Sequence, residues 1–469
     1  MNYLYFIILI SLFSVILFFG NSLGVNVLLF VVPYTIFTVY MLIKKKKLKN
    51  KKALLFMIPI FILSANYLVY DNIFQVLNFF ILPVLYGMML MYSVKTSFNL
   101  ATILEEVCEL YIMPLCPKFI RNFYNILFND LNKKINLSKN NKKRLLSLFI
   151  IIPIVVIVLA LLISADLQFK NLFSGLFSIF DGSSVILLLC RLFMFIITCT
   201  YIGAFFNYLL FNYKDNKKVI SSNKKDDLFT IKTLLIILNI IYIVFDIIQI
   251  RSLLFHKLDS GIVYSEYARS GFFQLMFISF INLGLLLITK QYKDNNIVKH
   301  MSLVMVFLTM IILCSSFYRM YMYDMAYGYT VLRLFVYIIL ITEFLMFIPT
   351  IAYIYNSKIN ILKHYIIITI SIYTFINLFS IDFIIAHNNI DRYKRMKKID
   401  IDYLMNYNSD NINELYKLYN KIENDEYRKK LYDYLLEYKD YINSDNDSIF
   451  EFNLSKNKAK EVLKNIDKK

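Results

Sequence analysis

Long apolar runs constrain this chain more than any other feature of its sequence. A bilayer crossing by a helix needs about 20 mostly apolar residues, and eleven runs of roughly this length follow one another. They cover about residues 3–19, 23–43, 53–70, 73–94, 145–165, 185–211, 231–250, 270–289, 301–318, 331–355 and 365–386. Because backbone in lipid must satisfy its own hydrogen bonds, each crossing is expected to be helical. The sequence predicts an all-α fold, a polytopic transmembrane helix bundle of about 11 spans.

The composition agrees with a membrane protein. Of the 469 residues, 58% are hydrophobic and only 18% are charged, whereas soluble domains carry about 25% charged residues. The chain has only 10 Gly and 7 Pro. This scarcity disfavours a β-sandwich, a Gly-rich nucleotide fold and a disordered chain, because each of these needs many turn-forming residues.

The apolar and polar stretches divide the chain into four regions. Residues 1–94 form an N-terminal region with four spans, and 95–144 form a basic loop with an amphipathic pattern. A seven-span membrane core follows over 145–386, and 387–469 are expected to form a small helical C-terminal soluble domain. In this tail, Asn411 and Glu414 have the spacing of a capping box, in which each side chain would bond to the other's backbone.

Basic residues predict the orientation, because Lys and Arg in short loops stay in the cytoplasm. The loop Lys44–Lys52 carries seven lysines and no acidic residue. If this loop is cytoplasmic, the cytoplasmic loops contain 27 of the 34 basic residues that precede position 387. The N-terminus is then cytoplasmic and the tail extracytoplasmic. The basic cluster Arg392–Lys398 favours the opposite side for the tail, and one missed or extra span would reverse the prediction.

Polar side chains inside the spans are the first candidates for function, because they are costly in lipid. Arg191, Asp246 and Glu343 lie within predicted spans, and Asp382 lies near the end of the last one. A structural ion pair is an equally good explanation for each.

The sequence has no P-loop, Rossmann, nucleophile-elbow or zinc-protease motif. No catalytic residue, metal site or cofactor is therefore predicted, and the sequence favours a protein that is not an enzyme.

Three short polar segments converge on the predicted extracytoplasmic side. They span about residues 251–269, 319–333 and 382–392, and they are rich in arginine and tyrosine. Arginine on that face has no topological explanation, and its planar fork suits a carboxylate, a phosphate or a lipid headgroup. The predicted polar site consists of Arg251, Tyr267, Arg269, Arg319, Tyr327, Arg333, Asp382 and Arg392.

These segments carry a family resemblance. Tyr267–Phe273 has the sequence YARSGFF, Tyr327–Arg333 has YGYTVLR, and Asp382–Ala386 has DFIIA, with Asn389–Arg392 shortly after it. In order and spacing they resemble the bacterial membrane family named domain of unknown function 4173 (DUF4173), which is related to family 4153, over roughly residues 140–420. The resemblance implies a multi-pass protein of the bacterial cell membrane, and it implies no activity.

Three hypotheses about function remain open. The first is a non-enzymatic component of the cell envelope, for assembly or sensing, whose polar face and tail engage anionic lipid headgroups or a membrane or envelope protein. The second is a membrane enzyme of envelope lipid or polymer chemistry, with arginines that hold an anionic headgroup. The third is a small-molecule transporter with Asp246 and Glu343 in a midplane cavity. Nucleic acid is not expected, because the loops of the membrane region carry nearly all of the +18 net charge.

Overall fold

The predicted all-α class is confirmed for the residues that the computed structural model describes. These are 3–95, 103–135, 182–212, 228–254, 272–292, 295–356, 359–405, 409–444 and 448–466, and all their regular structure is helical. Seven helices within them are long and apolar enough to cross a membrane. They are Val25–Lys44, Lys51–Val69, Phe74–Val94, Cys190–Phe211, Leu228–Arg251, Asn296–Tyr327 and Val331–Tyr355.

By length and composition, these residues contain seven candidate spans, or eight if one bent helix pair counts as a span, and the predicted eleven are not confirmed. The first helix, α1 (Tyr3–Phe18), has 16 residues, and the later helix Phe272–Ile288 has 17. Both were expected to cross the membrane, and both are shorter than the roughly 20 residues that a straight crossing requires. The predicted crossing at 145–165 lies outside the described residues.

Within the described parts of Met1–Val69, Gln75–Lys217 and Asn446–Asn453, the chain forms one compact unit. Its further helices are α2 (Val25–Lys44), α3 (Met57–Val69), α4 (Phe74–Val94), α5 (Ile103–Ile112), α6 (Pro117–Ile135) and α7 (Gly182–Asn207). Helix α1 packs on α2 and α7, and α6 also packs on α7. Gly203 permits the last contact, because a Cβ atom at this position would overlap the ring of Phe123.

The predicted basic loop at 95–144 contains α5 and α6, which supports its amphipathic pattern for residues 103–135. Phe123 is fully buried in α6, whereas Arg121 is exposed. Lys95, the first residue of the loop, forms an ion pair with Glu106 at 2.5 Å. Residues 96–102 and 136–144 of the predicted loop lie outside the described residues.

The second compact unit comprises the described parts of Tyr70–Phe74, Lys218–Asp445 and Leu454–Lys469. Its first five helices are α8 (Leu228–Leu254), α9 (Phe272–Ile288), α10 (Asn296–Tyr327), α11 (Val331–Tyr355) and α12 (Ile361–Ile376). Helix α10 is central, because α8, α9 and α11 all pack against it. The buried apolar core of this unit includes Leu283, Met305, Met320 and Phe347.

The apolar run at 365–386 forms two helices with a sharp bend between them, so the span predicted there is not confirmed as a single straight crossing. Helix α12 ends at Ile376, and α13 (Ile381–Met396) begins after a bend of 65°. Ser380 caps the new helix by accepting a hydrogen bond from Phe383 N. Asn377 at the end of α12 donates to Tyr373 O at 2.9 Å. These two polar side chains satisfy backbone groups locally, so the chain turns although its apolar character continues beyond the turn.

The predicted helical tail is present in the described residues. After α13 come α14 (Ile401–Met405), α15 (Ile412–Tyr419), α16 (Asp425–Ser444) and α17 (Leu454–Leu463). The expected capping box is wrong, because the side chain of Asn411 makes no capping hydrogen bond to α15. Its amide donates to Leu404 O instead, and Glu414 accepts from Lys417 at 2.6 Å. The four predicted regions of the chain remain a prediction.

Candidate functional site

The turn between α10 and α11 brings three of the predicted site residues together. Helix α10 ends at Tyr327, and Gly328 follows with a φ of +89°, a left-handed conformation that favours glycine. Thr330 then caps α11, and its hydroxyl accepts from Arg333 N at 3.5 Å. We call this turn, together with the side chains that bind it, the arginine corner; it comprises Met325–Arg333, Asn389, Arg392 and Tyr403.

Arg392 binds the end of α10 with its guanidinium group. Its Nε donates to Met325 O at 3.0 Å, and its Nη2 donates to Ala326 O at 2.6 Å. The remaining Nη1 donates to Lys398 O at 3.2 Å. The side chain is only 6% exposed. The last carbonyl oxygens of a helix lack partners within it and carry partial negative charge, so a buried cation here is a strong cap.

Arg333 is held in the same corner from the start of α11. Its Nη1 donates to Gly328 O, its Nε lies 3.7 Å from Asp324 Oδ1, and its guanidinium lies 4.0 Å from the ring centre of Tyr323. Asp324 is completely buried. This arginine therefore has an internal carboxylate, a carbonyl and an aromatic face as partners. Tyr327 is half exposed, and its ring contacts that of Tyr323.

Two further side chains fix the backbone of the turn. Asn389 on α13 accepts from Tyr329 N at 2.9 Å and donates to Tyr329 O at 2.8 Å. Tyr403 on α14 accepts from Val331 N through its hydroxyl oxygen at 3.0 Å. Through these bonds and those of Arg392, α13 and α14 are attached to the ends of α10 and α11.

The remaining predicted residues of the site are not in this corner. Arg319 lies more than one turn before it on α10, and its Nη2 donates to Gln249 Oε1 of α8 at 2.8 Å. Arg251 is exposed in the last turn of α8. Tyr267 and Arg269 lie outside the described residues. Asp382 is buried in the first turn of α13, ten residues before Arg392, which corresponds to about 15 Å along a helix axis.

Asp382 interacts electrostatically with Asp410 and Asp71 in an acidic cluster that the sequence did not predict. Asp410 is its centre: one carboxylate oxygen accepts from Asp71 N at 3.0 Å and the other from Ser380 Oγ at 2.5 Å. In return, Asp71 Oδ2 accepts from Ser409 Oγ at 2.8 Å and from Ser409 N at 3.3 Å. We call this set, Asp71, Ser380, Asp382, Ser409 and Asp410, the acidic clasp. It joins the segment Tyr70–Phe74 to the start of the tail.

Charge repulsion and burial act together in the acidic clasp. Burial raises the pKa of Asp410, hydrogen bonds from Ser380 and Ser455 lower it, and the negative charge of Asp71 raises it again, with a net upward shift. Tyr438 contacts the Ser409 hydroxyl at 2.8 Å. Among the described residues, no Lys or Arg forms an ion pair within 4.0 Å of the carboxylates of Asp71, Asp382 and Asp410. The sequence signal for the clasp was weak, since Asp71 and Asp410 lie 339 residues apart.

The three polar residues predicted inside spans have different surroundings. Arg191 is exposed on α7, with its guanidinium 5.4 Å from the ring centre of Phe19. Glu343 is buried on α11 and accepts a hydrogen bond from Ser279 of α9. Asp246 is buried on α8, and neither of its carboxylate oxygens has a hydrogen-bond partner among the described residues. Within the same part of the chain, no group of three His, Cys, Asp or Glu side chains is arranged to hold a metal ion.

Comparison with known proteins gives a family and no activity. The family model for the domain of unknown function 4153 matches residues 6–418. The predicted family, 4173, is a related but different one, so the resemblance is confirmed only in part. No curated protein and no solved structure matches this chain. With the match extending over most of its length, the chain belongs to the uncharacterised family DUF4153.

Proposed function

We propose that this membrane protein is a non-enzymatic component of the bacterial cell envelope, for assembly or sensing, whose tail is fixed to its membrane helices through α13. The observation that carries this proposal is the use of the conspicuous arginines by the protein itself. Arg392 donates to three backbone carbonyls, and Arg333 binds Gly328 O and faces Asp324. These groups stiffen a junction, as a scaffold or a sensor requires.

The second hypothesis, a membrane enzyme that holds an anionic headgroup, receives less support from the same contacts. A headgroup would have to displace the internal partners of Arg333 or Arg392, leaving buried carbonyls unpaired at a cost of about 1–3 kcal/mol each. Of the described arginines in the predicted site, Arg251 is the exposed one. We therefore assign contact with anionic lipid to Arg251.

Contacts of the tail support its extracytoplasmic location. Within the first compact unit, Val25 N donates to Phe452 O at 3.1 Å, and Ser22 Oγ donates to Glu451 at 3.0 Å. Residues 448–453 therefore lie at the start of α2. Its end, at Lys44, is about 30 Å away along a helix of 20 residues. If the lysine-rich loop is cytoplasmic, this part of the tail is on the other side.

Small-molecule transport is a second candidate function, and the burial of Asp246 and Glu343 favours it. Both carboxyl groups lie within helices long enough to span a membrane. Intramembrane acidic residues commonly mark substrate or ion pathways. The two acids differ in their contacts, since Glu343 is bound by Ser279 whereas Asp246 has no hydrogen-bond partner in the described residues.

The proposed location is tested by labelling with a membrane-impermeant maleimide in a variant whose five native cysteines are replaced by alanine. Glu423→Cys places an exposed thiol in the tail, and Lys49→Cys places one in the lysine-rich loop. We expect labelling of Cys at 423 in intact cells and of Cys at 49 only after permeabilisation. Labelling of both positions only after permeabilisation, or of 49 in intact cells, would overturn the proposed orientation.

The structural role of the arginines is tested in lipid nanodiscs with the matched variants Arg392→Gln and Arg251→Gln. We expect Arg392→Gln to lower Tm by a similar amount in zwitterionic and anionic lipid, because its partners are carbonyls of the protein. Arg251→Gln should leave Tm in zwitterionic lipid unchanged. Anionic lipid could instead raise the Tm of the wild type, and Arg392→Gln could abolish only that increase. This result would show that Arg392 binds lipid headgroups, and it would favour the enzyme hypothesis over a structural role.

A further inference from the structure

Asp246 stands out among the buried acids because of its position on α8. The neighbouring side chains of Ile243 and Ile247 are exposed, Ile247 by 62%, whereas Asp246 is only 3% exposed. Of the seven candidate spans, α8 is the one with the smallest buried share, so one face of it borders lipid. Its other face packs against α10. The carboxyl group therefore lies on the protein-facing side of a helix that is otherwise surrounded by hydrocarbon.

The polar groups close to Asp246 along α8 already bind one another. One turn before it, Tyr242 donates to Asn282 Oδ1 of α9 at 2.9 Å, and Asn282 donates to Thr309 of α10 at 3.0 Å. One turn after it, Gln249 Oε1 accepts from Ser315 Oγ at 2.9 Å and from Arg319. Asp246 sits between these two networks, and neither Oδ1 nor Oδ2 has a hydrogen-bond partner in the described part of the chain.

The charged side chains on the surrounding helices have other partners. Helix α9 carries none. On α10, Arg319 donates to Gln249, and Asp324 faces Arg333 at 3.7 Å; on α11, Glu343 is bound by Ser279. The remaining cationic or titratable groups near the start of α10 are Lys299 and His300. They adjoin Met301, whose carbonyl pairs with Asn239, two turns away from Asp246 on α8.

We propose that Asp246 is a proton-binding site inside the membrane domain, occupied by one exchangeable proton. An ionised carboxylate without a cation or a donor in an apolar medium is so costly that the group takes up a proton instead. A movement of α8 that exposed the carboxyl to water would release this proton. The inference does not rest on the proposed envelope role, and the two can fail separately.

This proposal predicts a covalent reaction with dicyclohexylcarbodiimide, an apolar reagent that partitions into bilayers. The carboxyl oxygen of Asp246 bonds to the central carbon of the reagent, one C=N bond becomes a single bond, and the carboxyl proton moves to that nitrogen. The O-acylisourea rearranges to a stable N-acylurea. Nothing leaves, so the peptide gains the full mass of the reagent. A carboxylate cannot supply the proton, so the reaction reports the protonated acid.

The experiment treats the wild-type protein in phosphatidylcholine vesicles with the reagent and locates the adduct by peptide mass spectrometry. We expect labelling at Asp246 at neutral pH, with at least fivefold less at exposed carboxyl groups such as Glu423, and a decrease as pH rises. A charged, water-soluble carbodiimide should label Asp246 poorly. Absence of the adduct at Asp246, or labelling that does not change between pH 6 and 10, would overturn the proposal.

The variants Asp246→Asn and Glu343→Gln make the assignment specific. Asp246→Asn should remove the adduct, and Glu343→Gln should leave labelling at Asp246 within twofold of the wild type, because Glu343 has its own hydrogen bond. If Glu343→Gln removes the adduct at Asp246 while Tm is unchanged, the proton belongs to a coupled pair rather than to Asp246. The wild-type adduct is located directly, so the test does not depend on folding of either variant.

Discussion

The two ends of α13 are fixed by opposite chemistry. At the carboxyl end, Arg392 and Asn389 bind the backbone of the arginine corner with donors that keep their charge or dipole at every physiological pH. At the amino end, Asp410 and Asp71 accept hydrogen bonds from serines and backbone amides in the acidic clasp. The contribution of the arginine corner to the free energy of unfolding should therefore be the same at every physiological pH. The contribution of the acidic clasp should depend on pH.

The largest effect is expected from Arg392→Ala at the arginine corner. The substitution removes three hydrogen bonds from a charged donor and leaves buried carbonyls of α10 unpaired. We expect the free energy of unfolding to fall by about 3–5 kcal/mol, in line with the loss of a buried charged partner. Denaturation in detergent micelles measures the change, and limited proteolysis shows whether the tail detaches first.

Arg395→Ala is the matched control for Arg392→Ala. Arg395 is exposed one turn later on the same helix, with a hydrogen bond of 3.4 Å to Asp391 O. Its loss should change the free energy of unfolding by less than about 0.5 kcal/mol. Equal effects of the two substitutions would show that the corner is not the anchor of α13.

A smaller loss is expected from Gly328→Ala in the same corner. The left-handed φ of +89° strains any side chain, and the new Cβ would lie 2.6 Å from Asn389 Oδ1. We expect a destabilisation of about 2–3 kcal/mol. Gly284→Ala serves as the control, because a Cβ atom at Gly284 in α9 would meet nothing within 4 Å. That change should be neutral or slightly stabilising, by up to about 1 kcal/mol. Similar losses at both positions would contradict the strain argument.

The acidic clasp should make the free energy of unfolding depend on pH. The pKa of Asp410 is raised on folding above the value near 3.9 of an unfolded aspartate. The folded state therefore binds the proton more tightly, and the contribution of Asp410 to stability is fully present below about pH 4. Stability then falls as pH rises through the folded pKa, by at most about 1.4 kcal/mol for each step of one in pH. Unfolding measured from pH 4 to 8 should show this decrease in the wild type.

Asp410→Asn should remove this part of the pH dependence, because an amide does not titrate in that range. Arg392→Gln should leave the slope in place while lowering stability at every pH. If stability between pH 4 and 8 rises with pH, or if Asp410→Asn keeps the full slope, Asp410 is not the source of the pH dependence.

The smallest effect is expected from Tyr403→Phe. The substitution removes the acceptor of Val331 N, at a distance of 3.0 Å, and leaves the ring in place. We expect a loss of about 1 kcal/mol and faster hydrogen exchange at the Val331 amide. Tyr432→Phe, at an exposed position on α16, should change neither quantity. Unchanged exchange at Val331 after Tyr403→Phe would contradict the bond.

The apolar runs predicted the bounds of the helices well where the side chains face lipid or the buried apolar core. The run at 331–355 coincides with α11, and the run at 73–94 differs from α4 by one residue at its start. The bend after α12 was missed because apolar residues continue on both sides of it. The turn there depends on single hydrogen bonds from Asn377 and Ser380, which hydropathy does not register.

Three of the predicted site residues lie in the arginine corner, but the sequence did not indicate their partners. Tyr327, Arg333 and Arg392 lie together, as the convergence of the polar segments suggested, although their functional role is still a prediction. Their partners are mainly backbone carbonyls, which have no sequence signature. The clasp between Asp71 and Asp410 was beyond prediction, because only the folded chain brings the two residues together. The supposed capping box failed because Glu414 binds Lys417 instead.

The contact between Val25 and Phe452 has a consequence for biosynthesis. Ser22 and Glu451, next to this pair, are separated by 429 positions along the chain. The ribosome therefore releases the first helical hairpin long before its hydrogen-bond partners exist. Until residues 448–453 emerge, Val25 N and the hydroxyl of Ser22 must rely on water or on the insertion machinery. This hairpin therefore obtains these partners only after residues 448–453 have been synthesised, and termination before them would leave Val25 N and Ser22 without these hydrogen bonds.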